Sequence, residues 1–106
     1  IDIWGDGTQI RSFCYIDDAI EATIRMVNEL EVKDFVGPFN IGRQEKISIK
    51  NLALLVRELI DPSMELKVDE QLEASIMCQW CDCTAIKKEI GWEAKVTLEE
   101  GIKKII

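Results

Sequence analysis

The sequence predicts a small α/β domain made of about four helices and a few short strands. Three stretches, 20–30, 52–59 and 98–106, repeat apolar residues at the three- and four-residue spacing of a helix that buries one face. Short apolar runs bounded by glycine, proline or polar residues lie between them, which is typical of strands. Since neither an internal repeat nor a linker interrupts the 106 residues, we expect a single domain.

Residues 1–16 are predicted to be extended around a turn at Gly5-Asp6-Gly7. Arg11 follows this turn, and its planar guanidinium presents donors that suit a phosphate or a diphosphate. The two glycines would let the backbone approach such a group closely. The residue types therefore indicate an anion site, although a hairpin-type turn followed by a solvated arginine has the same spacing.

Asp17 and Asp18 come directly before the first helical pattern. We expect one of them to cap that helix by accepting backbone N–H bonds, and the alternative is a catalytic or metal-binding pair. The face predicted to pack against the core carries Ile20, Ile24, Val27 and Leu30.

The middle of the chain is predicted to form a strand at 35–41, a helix and a second strand at 66–68. Ser48 would cap the helix, and Asp61-Pro62 would end it. Arg43 lies in the polar loop before the helix, either solvated or assisting an anion site. The apolar positions of the helix are assigned to the core: Leu52, Leu55, Val56 and Leu59.

Two further helices are predicted near the end of the chain. Asp82 or Thr84 would cap the first, and Gly91 would close it in a left-handed conformation. Thr97 and Glu100 have the spacing of a capping box at the start of the second. The packed face of that last helix is expected to carry Leu98, Ile102, Ile105 and Ile106.

Three of the four cysteines lie close together, at positions 78, 81 and 83. Thiolates so spaced would hold zinc if Cys14 completed the site, and Cys78 with Cys81 has the spacing of a redox pair. The chain contains no histidine and no second Cys-x-x-Cys, so we favour free, mostly buried thiols in a reducing compartment and no bound metal.

The chain is acidic, with a formal net charge of −7 and a sequence pI of about 4.6. Nucleic acids and anionic membranes attract basic surfaces, so neither is expected as a partner. No apolar run approaches the roughly 20 residues of a membrane-spanning helix, and we expect a cytoplasmic protein. Ile1 lies inside a predicted strand without a preceding Met, so we expect the chain to be cut from a longer one.

Residues 3–27 resemble the start of the substrate-binding half of the NAD-dependent nucleotide-sugar epimerases and dehydratases, the extended short-chain dehydrogenases. That family carries a Gly-x-Gly-x-x-x-Arg turn, an aromatic and apolar strand, and an aspartate pair at a helix start. The matching positions are Gly5, Gly7, Arg11, Phe13, Tyr15, Ile16, Asp17 and Asp18. The resemblance continues through 39–42, 48–49, 82–92 and 98–101, and its first part is most similar to the GDP-mannose 3,5-epimerase branch.

The resemblance implies a division of labour within a larger enzyme. Members bind NAD in a Rossmann half, whose tyrosine base works beside a lysine in a Tyr-x-x-x-Lys pair. This sequence has neither the glycine-rich NAD loop nor that pair, since Ala19 stands four residues after Tyr15. The chain is therefore expected to be the substrate-binding part, inactive alone and holding no cofactor.

The same resemblance assigns the site residues. It implies that Arg11 contacts the diphosphate of a nucleotide-diphosphate sugar, with Gly7 and Gln9 beside it, in a parent that forms a homo-oligomer. Members commonly place a second arginine shortly before the aspartate that opens the penultimate helix, but residues 77–81 contain none.

Two alternatives of other classes stay open. One is a non-catalytic interaction domain derived from the same fold, which the missing arginine favours. The other is a small zinc or redox module built on the cysteines.

Overall fold

The computed structural model describes residues 1–30, 37–72 and 76–106. The described residues form four helices: α1 Ile16–Glu29, α2 Ile49–Ile60, α3 Thr84–Ile90 and α4 Leu98–Ile105. They also form four short strands: β1 Asp2–Trp4, β2 Ile10–Arg11, β3 Ile47–Ser48 and β4 Lys67–Asp69. The predicted fold class is confirmed. Of the strand predicted at 35–41, the first two residues lie outside the described residues, and the prediction is wrong for 37–41, which form no strand.

The strands pair in two separate two-stranded sheets. β1 runs parallel to β4, with Ile3 opposite Val68. β2 runs antiparallel to β3, with Arg11 opposite Ile47. The Gly5-Asp6-Gly7 turn joins β1 to the segment that leads into β2, and both glycines have a positive φ, 74° and 79°.

The core lies between α1 and α3. Its most deeply buried side chains are Ala22, Cys83, Ile86 and Trp92, each at most 8% exposed. Around them pack the partly buried side chains of Cys14, Met26, Phe39, Ile41, Cys81, Ile90 and Ala94. Gly91 closes α3 with φ 67°, as predicted, and Trp92 after it is 1% exposed.

The helix caps are partly as predicted. Ser48 accepts the N–H of Asn51 at 3.2 Å, and Thr97 and Glu100 form the capping box. At α3 the N-cap position is Cys83, and Asp82 Oδ1 accepts from Thr84 N and Thr84 Oγ1 at 2.9 and 2.6 Å. The hydroxyl and N–H of Thr84 hold the pKa of the Asp82 carboxyl below its usual value.

The predicted packed face of α1 is wrong. Ile20, Ile24 and Val27 are 49%, 55% and 78% exposed, whereas Asp18 and Ala22 are buried. Because Ala22 is small, the α1 backbone can lie close to the core on this side of the helix. The apolar stripe then lies on the opposite, exposed side. The prediction is also wrong at the C-terminal end of α4, where Ile105 and the C-cap residue Ile106 are 78% and 65% exposed.

The capping role predicted for the two aspartates is also wrong. α1 begins at Ile16 behind an N-cap residue, Tyr15, whose side chain makes no capping bond. Asp18 Oδ2 instead accepts the backbone N–H groups of Lys95 and Val96 at 3.0 and 2.9 Å. The carboxylate, 4% exposed, thus ties α1 to the segment before α4.

The described part of the chain is elongated and flat. Its principal extents are 52 × 28 × 15 Å, with a radius of gyration of 16.7 Å. A compact domain of this length has a radius of gyration of about 13 Å. The layer of side chains is too thin to cover both faces of the helices, so apolar groups of α1 and α4 meet solvent. Among the described helices, none is long and apolar enough to cross a membrane.

Asp18→Ala is expected to lower the free energy of unfolding by about 2–4 kcal/mol, because two partly buried N–H groups lose a charged acceptor. The matched control is Asp17→Ala, which removes an exposed carboxylate and is expected to cost less than about 1 kcal/mol. Asp18→Asn keeps an acceptor oxygen, so its loss of unfolding free energy should lie between those of the two alanine variants. Urea unfolding of the three variants measures these values. Equal losses for Asp17→Ala and Asp18→Ala would contradict this role.

Candidate functional site

Arg11 lies on β2 and is half-buried. Its Nη1 donates to the carbonyl of Ile10 at 2.7 Å, which fixes the side chain against its own strand. Within the described residues the guanidinium forms no ion pair with a carboxylate, so most of its donor groups have no protein acceptor. An arginine so placed can bind an anion with its remaining N–H groups.

A cavity of about 340 Å³ opens beside Arg11. It is lined by Arg11, Ser12, Asn40, Gln79, Trp80 and Cys81, none of which carries a negative charge. The lining thus combines one permanent cation, two side-chain amides, a hydroxyl and an aromatic ring. This composition suits a polar anionic ligand that also presents a flat or apolar part.

One wall of the cavity is formed where residues 77–79 lie along β2. Ile10 N donates to the carbonyl of Met77 at 2.7 Å, and Gln79 N donates to the carbonyl of Ile10 at 3.0 Å. Ile10 and Cys78 form a parallel bridge between these two bonds. The segment in which a second arginine was sought therefore borders the cavity, with Gln79 and Trp80 in its wall.

Trp80 is the large exposed group of this wall. It is 44% exposed, and Lys46 Nζ lies 3.9 Å from the centroid of its ring. The ammonium is attracted to the ring by a cation–π interaction, which orients the indole. Lys46 itself is not among the residues that line the cavity.

Gly7 and Gln9, which were expected beside Arg11, lie elsewhere. The carbonyl of Gly7 accepts from Lys50 N at 2.9 Å, and a Cβ on Gly7 would meet the Lys50 Cβ at 2.9 Å. Gln9 is 7% exposed, and its Nε2 donates to the carbonyl of Trp4 at 2.7 Å. Both residues hold the turn against the start of α2, and neither lines the cavity.

Several cavity residues were not predicted as site residues: Ser12, Asn40, Gln79, Trp80 and Cys81. Ser12 follows Arg11 directly in sequence, whereas the other four come to the cavity from distant segments. A hydrogen bond also joins two of these segments, since Asn40 Nδ2 donates to the carbonyl of Asp82 at 3.2 Å. Sequence spacing carries no signal for such an arrangement.

Arg43 has a structural role. Its Nε pairs with Glu45 Oε2 at 2.7 Å, and its Nη1 donates to the carbonyls of Ala94 and Val96 at 3.3 and 3.2 Å. The guanidinium thus holds the loop before β3 against the segment before α4. These three acceptors account for the interactions of Arg43 better than an anion site does.

The sequence spacing pointed to Cys78 and Cys81 as a pair, but the two thiols that lie next to each other are those of Cys81 and Cys83. All four are free thiols, and Cys78 is exposed. Cys14, Cys81 and Cys83 belong to the core cluster, where Cys81 Sγ and Cys83 Sγ are 3.5 Å apart. In the described part of the chain, no three His, Cys, Asp or Glu side chains are arranged to hold a metal ion.

An apolar cavity of about 390 Å³ lies between α2 and α4. Its walls include Phe13, Ile16, Leu52, Val56, Ile102 and Ile105. Leu52 and Val56 belong to the stripe predicted as the core of α2, all four residues of which are only half-buried. Tyr15 is also part of the lining, where it packs against Gly101.

The chain is similar to enzymes that act on nucleotide sugars. A family model described as GDP-mannose 4,6 dehydratase matches residues 2–105. UDP-glucuronic acid decarboxylase 5 from Arabidopsis thaliana is 40% identical over 96 residues, which cover 91% of this chain and 27% of that protein. GDP-mannose 3,5-epimerase 1 from Oryza sativa subsp. japonica is 30% identical over 102 residues, or 96% of this chain and 26% of that protein.

A solved structure shows the same fold. UDP-glucuronic acid 4-epimerase from Bacillus cereus, in complex with UDP-glucuronic acid and NAD, superposes with a TM-score of 0.81 at 26% identity. The match covers 96% of this chain and 32% of that one, so the chain spans about a third or less of the length of the proteins it matches. With a family match along almost its whole length, the chain belongs to the NAD-dependent nucleotide-sugar epimerase and dehydratase family.

Proposed function

We propose that the chain is the nucleotide-sugar-binding part of an NAD-dependent epimerase or dehydratase, and that Arg11 binds the diphosphate. The observation that carries the proposal is a half-buried arginine in a cavity wall that lacks any carboxylate. Family membership supplies the ligand class, since the relatives named above act on UDP- or GDP-linked sugars.

The electrostatics of the cavity support an anionic ligand. The whole chain carries a formal charge of −7, so a diphosphate is repelled by most of the surface. Arg11 offers a local exception, because the groups around it in the cavity wall are neutral. Partial burial lowers the effective dielectric around the guanidinium and strengthens its charge-assisted hydrogen bonds.

The chemistry of hydride and proton transfer is assigned to other parts of the enzyme. The turn at Gly5 and Gly7 leads to a two-residue strand and not to a helix N-terminus, so it does not form the usual dinucleotide cradle. In the parent enzyme, bound NAD would accept a hydride from the sugar and return it. The described residues of this chain would position the sugar nucleotide through Arg11 and the walls of its cavity.

A non-catalytic interaction domain is the second candidate. Gln79 and Trp80 stand where the family commonly has an arginine, and the apolar stripe of α1 is exposed. A chain that has lost nucleotide-sugar binding would keep this fold and use its apolar surface to bind another protein.

Arg11→Ala is expected to weaken binding of a UDP- or GDP-sugar to the full natural protein by about 10- to 100-fold. The loss corresponds to one charge-assisted contact of about 1.5–3 kcal/mol. Arg11→Lys keeps the charge but not the planar fork and should recover part of the affinity. Calorimetric titration measures both.

The matched control is Arg57→Ala, which removes an arginine from the last turn of α2, outside the cavity. Its affinity should equal that of the natural protein. Equal affinity for Arg11→Ala would refute the role of Arg11, and no binding by the natural protein would favour the interaction domain.

The 106-residue chain alone is expected to self-associate and not to bind NAD. Ile20, Ile24 and Val27 expose an apolar stripe, and each 100 Å² of apolar surface removed from water is worth about 2.5 kcal/mol. Val27→Glu should shift the sedimentation coefficient towards the monomer, whereas Asn28→Glu, at the neighbouring exposed position, should not. A monomer at every concentration, or a saturable NAD titration, would contradict this expectation.

A further inference from the structure

Two thiols face each other at the edge of the Arg11 cavity. Cys81 Sγ and Cys83 Sγ are 3.5 Å apart, and Cys83 Sγ also donates towards the carbonyl of Gly42 at 3.3 Å. Residues two apart point to the same side of an extended chain, so the spacing of Cys81 and Cys83 lets their side chains lie next to each other. Cys83 is the N-cap residue of α3, with φ −105° and ψ 19°, so the pair lies where the chain enters the helix.

Gly42 makes room for the pair. A Cβ at this position would lie 3.0 Å from both the Cβ and the Sγ of Cys81, and 3.7 Å from the Sγ of Cys83. Any other residue at position 42 would therefore press on Cys81, whereas its distance to the Cys83 sulfur would be an ordinary contact. The pair depends on a glycine that is distant in sequence, as well as on the spacing of the two cysteines.

The two thiols differ in access to solvent. Cys81 is half-buried and lines the 340 Å³ cavity, so a small solute can reach its sulfur. Cys83 is 8% exposed and belongs to the core. The exposed member of the Cys-x-x-Cys spacing, Cys78, lies outside this core cluster.

We propose that Cys81 and Cys83 form an oxidation site at which a peroxide converts the two thiols into an intramolecular disulfide. The Cys81 thiolate attacks a peroxide oxygen, the O–O bond breaks, and Cys81 becomes a sulfenic acid while hydroxide leaves. The Cys83 sulfur then attacks the Cys81 sulfur, the S–O bond breaks, and water leaves. Overall the two thiols lose two hydrogens, and one hydrogen peroxide is reduced to two waters.

The pKa of Cys83 and its burial fit this order. Burial, followed by the hydrogen bond to Cys81 and its charge, raises the pKa of Cys83 to about 12. At neutral pH Cys83 is therefore protonated, and the accessible thiol reacts first. When the Cys83 sulfur attacks the sulfenic acid, the Cys83 proton leaves with the departing oxygen as water.

Bond formation requires only a local movement. The sulfur atoms must close from 3.5 Å to about 2.0 Å. Residues 81 and 83 lie immediately before α3, outside any regular element, and can make such a shift without breaking a helix.

The test treats the reduced full natural protein with equimolar hydrogen peroxide near neutral pH, then blocks the remaining thiols and maps the peptides by mass spectrometry. Cleavage after Trp80 and before Asp82 separates the three neighbouring cysteines. We expect a Cys81–Cys83 link with the loss of two hydrogens, unchanged in Cys78→Ser. Cys83→Ser, or Cys83→Ala if the serine variant fails to fold, should stop at a Cys81 sulfenic acid that dimedone traps.

Three outcomes would overturn the proposal. The first is a link through Cys78 or Cys14 in place of the Cys81–Cys83 link. The second is retention of all thiols under conditions that oxidise free cysteine. The third is an equally fast Cys81–Cys83 link in urea, which would assign it to sequence spacing and not to the fold. The oxidation is measured without a nucleotide sugar, so its outcome does not depend on the Arg11 titrations, although Cys81 lines the same cavity.

Discussion

The candidate site depends on the position of β2 between two other segments. Ile10 exchanges backbone hydrogen bonds with Met77 and Gln79 on one side, while β2 pairs with β3 on the other. A two-residue strand has little stability of its own, and pairing on both sides fixes its backbone. Because Arg11 is part of this strand, its backbone is already fixed, and its guanidinium loses little further conformational freedom when a ligand binds.

Asp18 has a comparable role for the helices. Its buried carboxylate accepts two N–H groups from the segment before α4, and Arg43 binds two carbonyls of the same segment. The segment is therefore held by a carboxylate that accepts from its N–H groups and a guanidinium that donates to its carbonyls. These polar ties connect α1, the loop before β3 and α4 where the apolar core is small. In the flat described part of the chain, such contacts join elements that share little buried apolar surface.

Several local features were predictable from the sequence, whereas the tertiary contacts were not. The capping box at Thr97, the cap at Ser48 and the left-handed Gly91 each depend on residues within a few positions of one another. The packed face of α1 depends on distant partners, and an apolar stripe at helical spacing does not say which neighbour covers it. The burial of the Asp18 carboxylate cannot be predicted from a hydrophobicity pattern for the same reason, because its hydrogen-bond partners lie on a distant segment.

The same distinction holds for the site. Arg11 was identifiable because a glycine turn and an arginine lie close together in sequence. Gln79 and Trp80 reach the cavity through pairing with β2, and the segment around them has no periodicity from which to infer it. The Cys81–Cys83 contact needs Gly42, which is distant in sequence from both cysteines, so spacing alone pointed to Cys78 instead.

The most direct test of the nucleotide-sugar assignment is a crystal structure of the full natural protein with a bound UDP- or GDP-sugar. We expect the Arg11 guanidinium to lie within about 3 Å of the diphosphate oxygens, with Trp80 and Gln79 in the wall of the occupied cavity. A ligand bound with its diphosphate away from Arg11, and the cavity empty, would contradict the account.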